Sequence, residues 1–285
     1  MTPTSEQIQA AMAEHPRAFR DTPAVRTRKI VLWTAFIGLF CWCLYDFNFS
    51  PERIWTGLER LGRVLSFMFP PHIWETWEEW LEIFTALGET LAMAFMGTLL
   101  GALVAFPLSF LGAKNINRIF WVRQGTRRVY DVIRAFETLI LALIFIRAFG
   151  LGPLAGILAI AVSEIGTFAK LFSEALENTS KKPVEGVVAS GGSRLQSIRY
   201  AIMPQVLPVH LSVLLYNFES NVRSGTILGI VGAGGIGFIL SDRIAGYFWD
   251  QVWSIIFLII AMVYIIDYLS GLIRTRVIGK WEGAR

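Results

Sequence analysis

Asn217, Glu219, Asn221, Arg223 and Ser224 fall within two turns of one long apolar stretch. Polar and ionisable side chains are costly in so apolar a setting, and they usually face a bundle interior or a water-filled path. Two readings of the group stand side by side. Glu219 and Arg223 are four residues apart, the spacing at which a helix brings opposite charges together. Alternatively, Arg223, with Asn221 and Ser224 beside it, lines a passage and makes weak contacts with a passing anion. Guanidinium and amide donors match phosphoryl oxygens. Glu89, Glu137 and Glu164 sit on other apolar stretches, as packing partners or as proton carriers.

No other constellation has the spacing of a catalytic or metal centre. His15, His72 and His210 are scattered and read as surface or interfacial residues. Cys41 and Cys43 are two residues apart, so they point to different sides of a helix and form neither a disulfide framework nor a metal site. Ser190, Ser193 and Ser197 have no nearby histidine base. No Walker sequence occurs, and Gly232-x-Gly234-x-x-Gly237 neither follows a strand nor precedes an amphipathic helix. The chain therefore reads as no enzyme, with no catalytic residue, metal or cofactor of its own.

One polar stretch, 180–204, interrupts the apolar sequence. Pro183 suits a first helical turn, Glu185 meets the positive end of the helix dipole, and Gly191-Gly192 supplies a turn with positive φ. A short helix should end near Ser190. Ser193 and Gln196 then form a capping box, Leu195, Ile198 and Ile202 share one face, and Pro204 closes the unit. A DNA-reading helix-turn-helix is excluded by the long apolar spans on both sides, and nucleic acid is not an expected partner.

At 54% hydrophobic and 17% charged the chain is not a soluble globule. Spans are expected near 30–47, 86–112, 132–149, 154–174, 206–240 and 251–272, each against a bilayer core of ~30 Å. Between the first two, Trp55, Trp74, Trp77 and Trp80 lie among acids, as in an outer interfacial belt. Gly97 and Gly101 let helix backbones approach closely around Pro107. The fifth span is too long for one straight crossing, and its glycine-rich part, 227–237, should be broken or re-entrant. Arg17, Arg20, Arg26, Arg28 and Lys29, then Lys114, Arg118, Arg123, Arg127 and Arg128, then Lys181, Lys182, Arg194 and Arg199, and last Arg274, Arg276, Lys280 and Arg285 flank the spans. By the positive-inside rule these segments and both termini are cytoplasmic.

Glu185, Gly191 six residues later, and Met203-Pro204 beyond it resemble the coupling-loop signature of permease subunits of ATP-binding-cassette importers. Gly186 and Val187 stand where that family usually has two small residues, and Ala201 where it has a β-branched one. The stretches from Glu89 in the second span and from Asn217 to Gly237 in the fifth look like the phosphonate-importer branch. The resemblance implies an all-α polytopic protein with six transmembrane helices and the type I importer permease fold. It also implies a bacterial inner-membrane location, a second copy of the chain, two ABC ATPase subunits holding ATP and Mg, and a periplasmic phosphonate-binding protein. Glu185, Gly186, Ala189, Gly191, Ser193, Arg194 and Pro204 become the ATPase-coupling loop. Asn217, Glu219, Asn221, Arg223 and Ser224 are translocation-path candidates. Residues 1–29 are then a cytoplasmic segment, 30–84 the first span with its outer segment, 85–275 the permease core, and 276–285 a tail. Phosphite, another small oxyanion or an amino acid is the alternative cargo, and an ion-coupled secondary transporter is the rival of another class.

Overall fold

The structure, a computed structural model, describes residues 23–282, with side chains through residue 276. Most of the polar segment 1–29 lies outside that description, as do residues 283–285 and the side chains of 277–282. Every regular element among the described residues is helical, and the chain divides into two compact units between Ser66 and Phe67.

The first unit holds α1, Pro23–Asp46, and α2, Pro51–Phe67. At 1.5 Å per residue, the 24 residues of α1 span ~36 Å, enough to cross a bilayer core. Trp33, Phe36 and Phe40 are more than half exposed on it, as side chains bathed in lipid would be. Ser50 Oγ accepts from Arg53 N at 3.2 Å at the start of α2. Trp55 on α2 is exposed.

The second unit is the bundle. Its helices are α3 (Trp77–Gly112), α4 (Phe120–Arg134), α5 (Thr138–Phe149), α6 (Pro153–Glu177), α7 (Lys181–Ala189), α8 (Arg194–Ser197), α9 (Met203–Leu228), α10 (Ile236–Ala245) and α11 (Trp249–Glu282). A π-helical turn at Ile198–Ile202 joins α8 to α9, and a second at Gly229–Ala233 ends α9. Five stretches among the described residues are long and apolar enough to cross a membrane, and α5 is a sixth, shorter apolar helix.

The most extensive helix pairing is α3 against α6, and glycines set the approach. A Cβ on Gly97 would lie 2.7 Å from Ile160 Cβ, and one on Gly101 would lie 2.7 Å from Glu164 Cβ. Met93, Ala159 and Ile160 fill the seam with Leu141 and Ala142 of α5 and with Leu228 and Ala233. Nearer the far end, Ala102, Ala105, Phe168 and Phe172 surround Tyr130 of α4.

The third expected span is not continuous. The basic segment before it, 113–131, is largely the amphipathic helix α4, and the chain breaks at 135–137 before the apolar α5 begins. Apolar periodicity changes to near-uniform apolarity across those residues, so one helix cannot present both faces correctly. The glycine-rich stretch is broken, as expected. Gly232, Gly234 and Gly235 have φ of 106, 85 and 69°, and α10 folds back on α9 so closely that a Cβ on Gly237 would run into the Thr226 carbonyl. Gly152 N donates to Gly232 O at 3.1 Å, tying this break to the α5–α6 turn.

Two side chains sit deeper than expected. His210 is 5% exposed, stacked 4.1 Å from Phe172 and edge-on to Phe106, so it is a core residue of three helices and not an interfacial one. Trp74 is 5% exposed and packs edge-on against Trp80, whose Nε1 donates to the Trp74 carbonyl at 3.0 Å; Trp77 remains exposed.

Candidate functional site: a clamped knob and a charged seam

The stretch after α6 forms a compact helical hairpin. α7 ends at Ala189, where Ser190 N and Gly192 N donate to Gly186 O and Val187 O, and Gly191 takes the positive φ of 78° that the turn requires. Ser193 then caps α8 in a full capping box: Ser193 N donates to Gln196 Oε1 at 2.7 Å and Gln196 N to Ser193 Oγ at 3.4 Å. Pro204 does not close the unit. It occupies the first turn of α9, where no intrahelical N–H is needed, and the π-helical turn before it carries the helix onward into the bundle.

The hairpin is fastened to the bundle on three sides. Ser180 N donates to Gln205 Oε1 at 2.9 Å, and Gln205 Nε2 donates back to Ser180 O at 3.4 Å and to Ala201 O at 2.7 Å. Val184, Ile198 and Met203 pack on Ala113, Leu176, Ile202 and Val206 at the ends of α3, α6 and α9. Arg194 Nη2 donates to the Ile116 carbonyl in the α3–α4 connection. That connection is held by Glu177, whose Oε1 accepts from Lys114 N at 2.6 Å and from Arg127 Nη2 at 2.5 Å.

Apolar groups are nevertheless left outward on this polar unit. Val188, Leu195 and Tyr200 are 58%, 78% and 62% exposed. Pro183, Gly186, Ser190, Gly192 and Gln196 line a concavity with Tyr200. Glu185, Gly186, Ala189, Gly191, Ser193 and Arg194 are all exposed on the same knob. The outer surface of the fastened knob thus combines exposed apolar side chains with a concavity beside them.

Beside the knob, α4 carries two titratable groups with resolved environments. Burial pushes the Tyr130 hydroxyl up to about 12, against smaller opposing effects of Ser173 and Arg127. The Lys170 ammonium, 2.8 Å away, holds the Asp131 carboxyl below its ordinary range.

Within the membrane segments the charges pair between helices, not along one. Glu219 accepts from Arg274 Nη2 at 2.8 Å, and Arg223 Nη1 lies 3.4 Å from Asp267 Oδ1. The i,i+4 pairing of Glu219 with Arg223, one of the two readings of this group, is therefore replaced by two ties from α9 to α11. Asn221 is buried and donates to Thr98 Oγ1 at 3.0 Å and Glu164 Oε1 at 2.8 Å, joining α9, α3 and α6. Asn217 donates within its own helix to Val213 O, and Ser224 is half-buried. Glu89 Oε2 accepts from Gly235 N at 3.1 Å and Thr90 Oγ1 from Ile236 N at 2.9 Å, so α3 holds the glycine break. Glu137 is exposed at the start of α5. Arg274 reads in the sequence only as a flanking topology charge, and Asp267 was not singled out; a carboxylate inside an apolar span is the signal that could have found it.

Comparison with known proteins agrees with this architecture. A family model described as "Binding-protein-dependent transport system inner membrane component" matches residues 97–279. The chain is 34% identical over 91% of its length, and 91% of the relative's, to the "Putative phosphite transport system permease protein HtxC" of Stutzerimonas stutzeri. It is 45% identical over 41% of its length, and 96% of the relative's, to the "Putative cryptic phosphonate transport system permease protein PhnE2" of Escherichia coli strain K12. Among solved structures, a chain of the MetNI methionine ABC transporter in inward-facing conformations superposes with a TM-score of 0.62 at 21% identity, covering 71% of this chain and 99% of that one. At that identity the likeness concerns the fold.

Proposed function

This chain belongs to the family of binding-protein-dependent transport system inner membrane components, and from that premise we propose how it works as the permease subunit of an ATP-binding-cassette importer. Two copies form the conduit, two ABC ATPase subunits sit below, and a periplasmic binding protein delivers phosphonate. ATP and Mg reside on the ATPase subunits, and the chain contributes no chemistry. Both termini face the cytoplasm, a reading supported by the basic residues around α4, the knob and Arg274.

The observation that carries this reading is the fastened knob with its exposed Val188, Leu195 and Tyr200. An ATPase cleft that takes up those groups would move the knob as nucleotide binds. The Gln205 clamp and the Val184 packing would pass that motion to α6 and α9, alternating the conduit between outward and inward openings.

Arg223 supplies the cationic contact for the cargo. Its pair with Asp267 is long, at 3.4 Å, and both side chains are about half exposed, so a phosphonate dianion can replace the carboxylate briefly without being trapped. Asn217 and Ser224 lie along the same stretch, whereas Asn221 is held by Thr98 and Glu164. Phosphonate is favoured by the 45% identity to a protein named for phosphonate transport, and phosphite, the second reading, by the relative matched over 91% of both chains.

Reconstitution of the chain with its ATPase and binding protein tests this function. ATP-dependent uptake of a radiolabelled alkylphosphonate is expected, with phosphite added as competitor. Uptake of phosphite alone would transfer the assignment to the second reading, and uptake without ATP would overturn both.

A further inference from the structure

α4 is amphipathic in the opposite sense from a helix bathed in water. Its inward side carries the polar groups: Arg127 pairs with Glu177 at 2.5 Å, Asp131 with Lys170 at 2.8 Å, and Tyr130 is 1% exposed. Its outward side carries Trp121, Val129 and Val132, which are 81%, 55% and 60% exposed. At 100° per residue these three fall within about 80° of one another, so they form one stripe.

Two cations border that stripe. Arg128 is 73% exposed, and its ion pair is a 3.7 Å contact to Asp131, a carboxylate already taken by Lys170. Arg118, just before the helix, is exposed and makes no ion pair among the described residues.

α5 is too short to cross a bilayer by itself: twelve residues reach only ~18 Å against a core of ~30 Å, so the break at 135–137 is expected at membrane depth, with α4 running from it toward the basic α3–α4 connection. A helix there must turn apolar groups toward acyl chains and cations toward phosphates.

We infer that α4 is an in-plane interfacial helix that binds anionic phospholipid. Trp121, Val129 and Val132 enter the acyl region, and Arg118 and Arg128 hold the headgroup phosphate. This surface is independent of the cargo and of the knob.

The full-length chain in nanodiscs tests it through Trp121 fluorescence, taken as the difference between wild type and Trp121→Phe. Acyl-brominated phosphatidylglycerol should quench this signal at lower mole fraction than acyl-brominated phosphatidylcholine. Removing each arginine, as Arg118→Gln and Arg128→Gln, should weaken the phosphatidylglycerol preference about fivefold. The Arg118→Lys/Arg128→Lys double variant should retain the preference. Equal quenching by both lipids, loss of preference in the lysine variant, or no quenching by either lipid, as when a protein partner covers α4, would overturn the inference.

Discussion

Ser180 and Gln205, 25 residues apart in sequence, hold each other by backbone and side chain: Ser180 N donates to Gln205 Oε1 at 2.9 Å and Gln205 Nε2 to Ser180 O at 3.4 Å. The two residues bracket the knob, so its entry and exit segments are closed at the base. On the proposed function, a displacement of α7 or α8 should be passed through that base to α6 and α9.

Gln205→Ala should loosen this base by about 1–3 kcal/mol, the sum of a few hydrogen bonds. In the reconstituted importer, ATP hydrolysis should continue while uptake per ATP falls. Measuring both in the same proteoliposomes checks it; an unchanged ratio would show that the clamp transmits nothing.

The two charge ties between α9 and α11 should behave differently when cut. Glu219→Ala leaves Arg274 without its carboxylate in a largely buried site, costing toward the lower end of about 3–5 kcal/mol. Arg223→Ala removes a half-exposed pair of roughly 0–1 kcal/mol, yet it should abolish uptake. Thermal melting in detergent, read beside uptake, separates the two: the first variant should melt early, and the second should melt normally and assemble but carry nothing.

Gly101 faces Glu164 and the Ala161 carbonyl of α6 at distances that leave no room for a side chain. Gly101→Val should force the helices apart at a cost of about 1–3 kcal/mol or more. Gly88→Val, on the same helix and with no neighbour near its added carbon, is the control. Size-exclusion profiles should show loss of folded protein for the first variant alone.

Tyr130 should give the fold an alkaline limit. Its hydroxyl donates to the Leu108 carbonyl at 2.5 Å and titrates near 12 in place of the ordinary 10.0. A raised value means the folded state keeps the proton longer, so the contribution is complete below pH 10 and is lost as pH rises through about 12. The melting temperature should therefore fall over that window. Tyr130→Phe should lose about 1 kcal/mol at neutral pH and show a flatter alkaline decline.

Much of this architecture was legible in local sequence, because its signals act over a few residues. The Ser193–Gln196 capping box, the Gly97/Gly101 close approach and the glycine break after Ile227 were each expected and each found. What escaped was set by tertiary neighbours. Glu219 has a cation four residues away, yet its partner is Arg274, 55 residues on, because the α9 face carrying Glu219 is turned to α11. His210, with no ligand-spaced partner in the sequence, reads as a surface or interfacial residue, whereas Phe106 and Phe172 from two other helices enclose it. The division of the third span into α4 and α5 reflects where α4 packs its polar face, which periodicity within the segment could not reveal.

The knob's role is tested most directly by the reactivity of a single thiol. Leu195→Cys, in a chain whose Cys41 and Cys43 are replaced by alanine, places that thiol on a side chain 78% exposed in the permease. Alkylation should be fast for the permease by itself and strongly slowed in the complex with its ATPase, while a cysteine replacing the exposed Tyr247 outside the knob should react equally in both. Equal reactivity of the Leu195→Cys thiol in the presence and absence of bound ATPase would contradict the account.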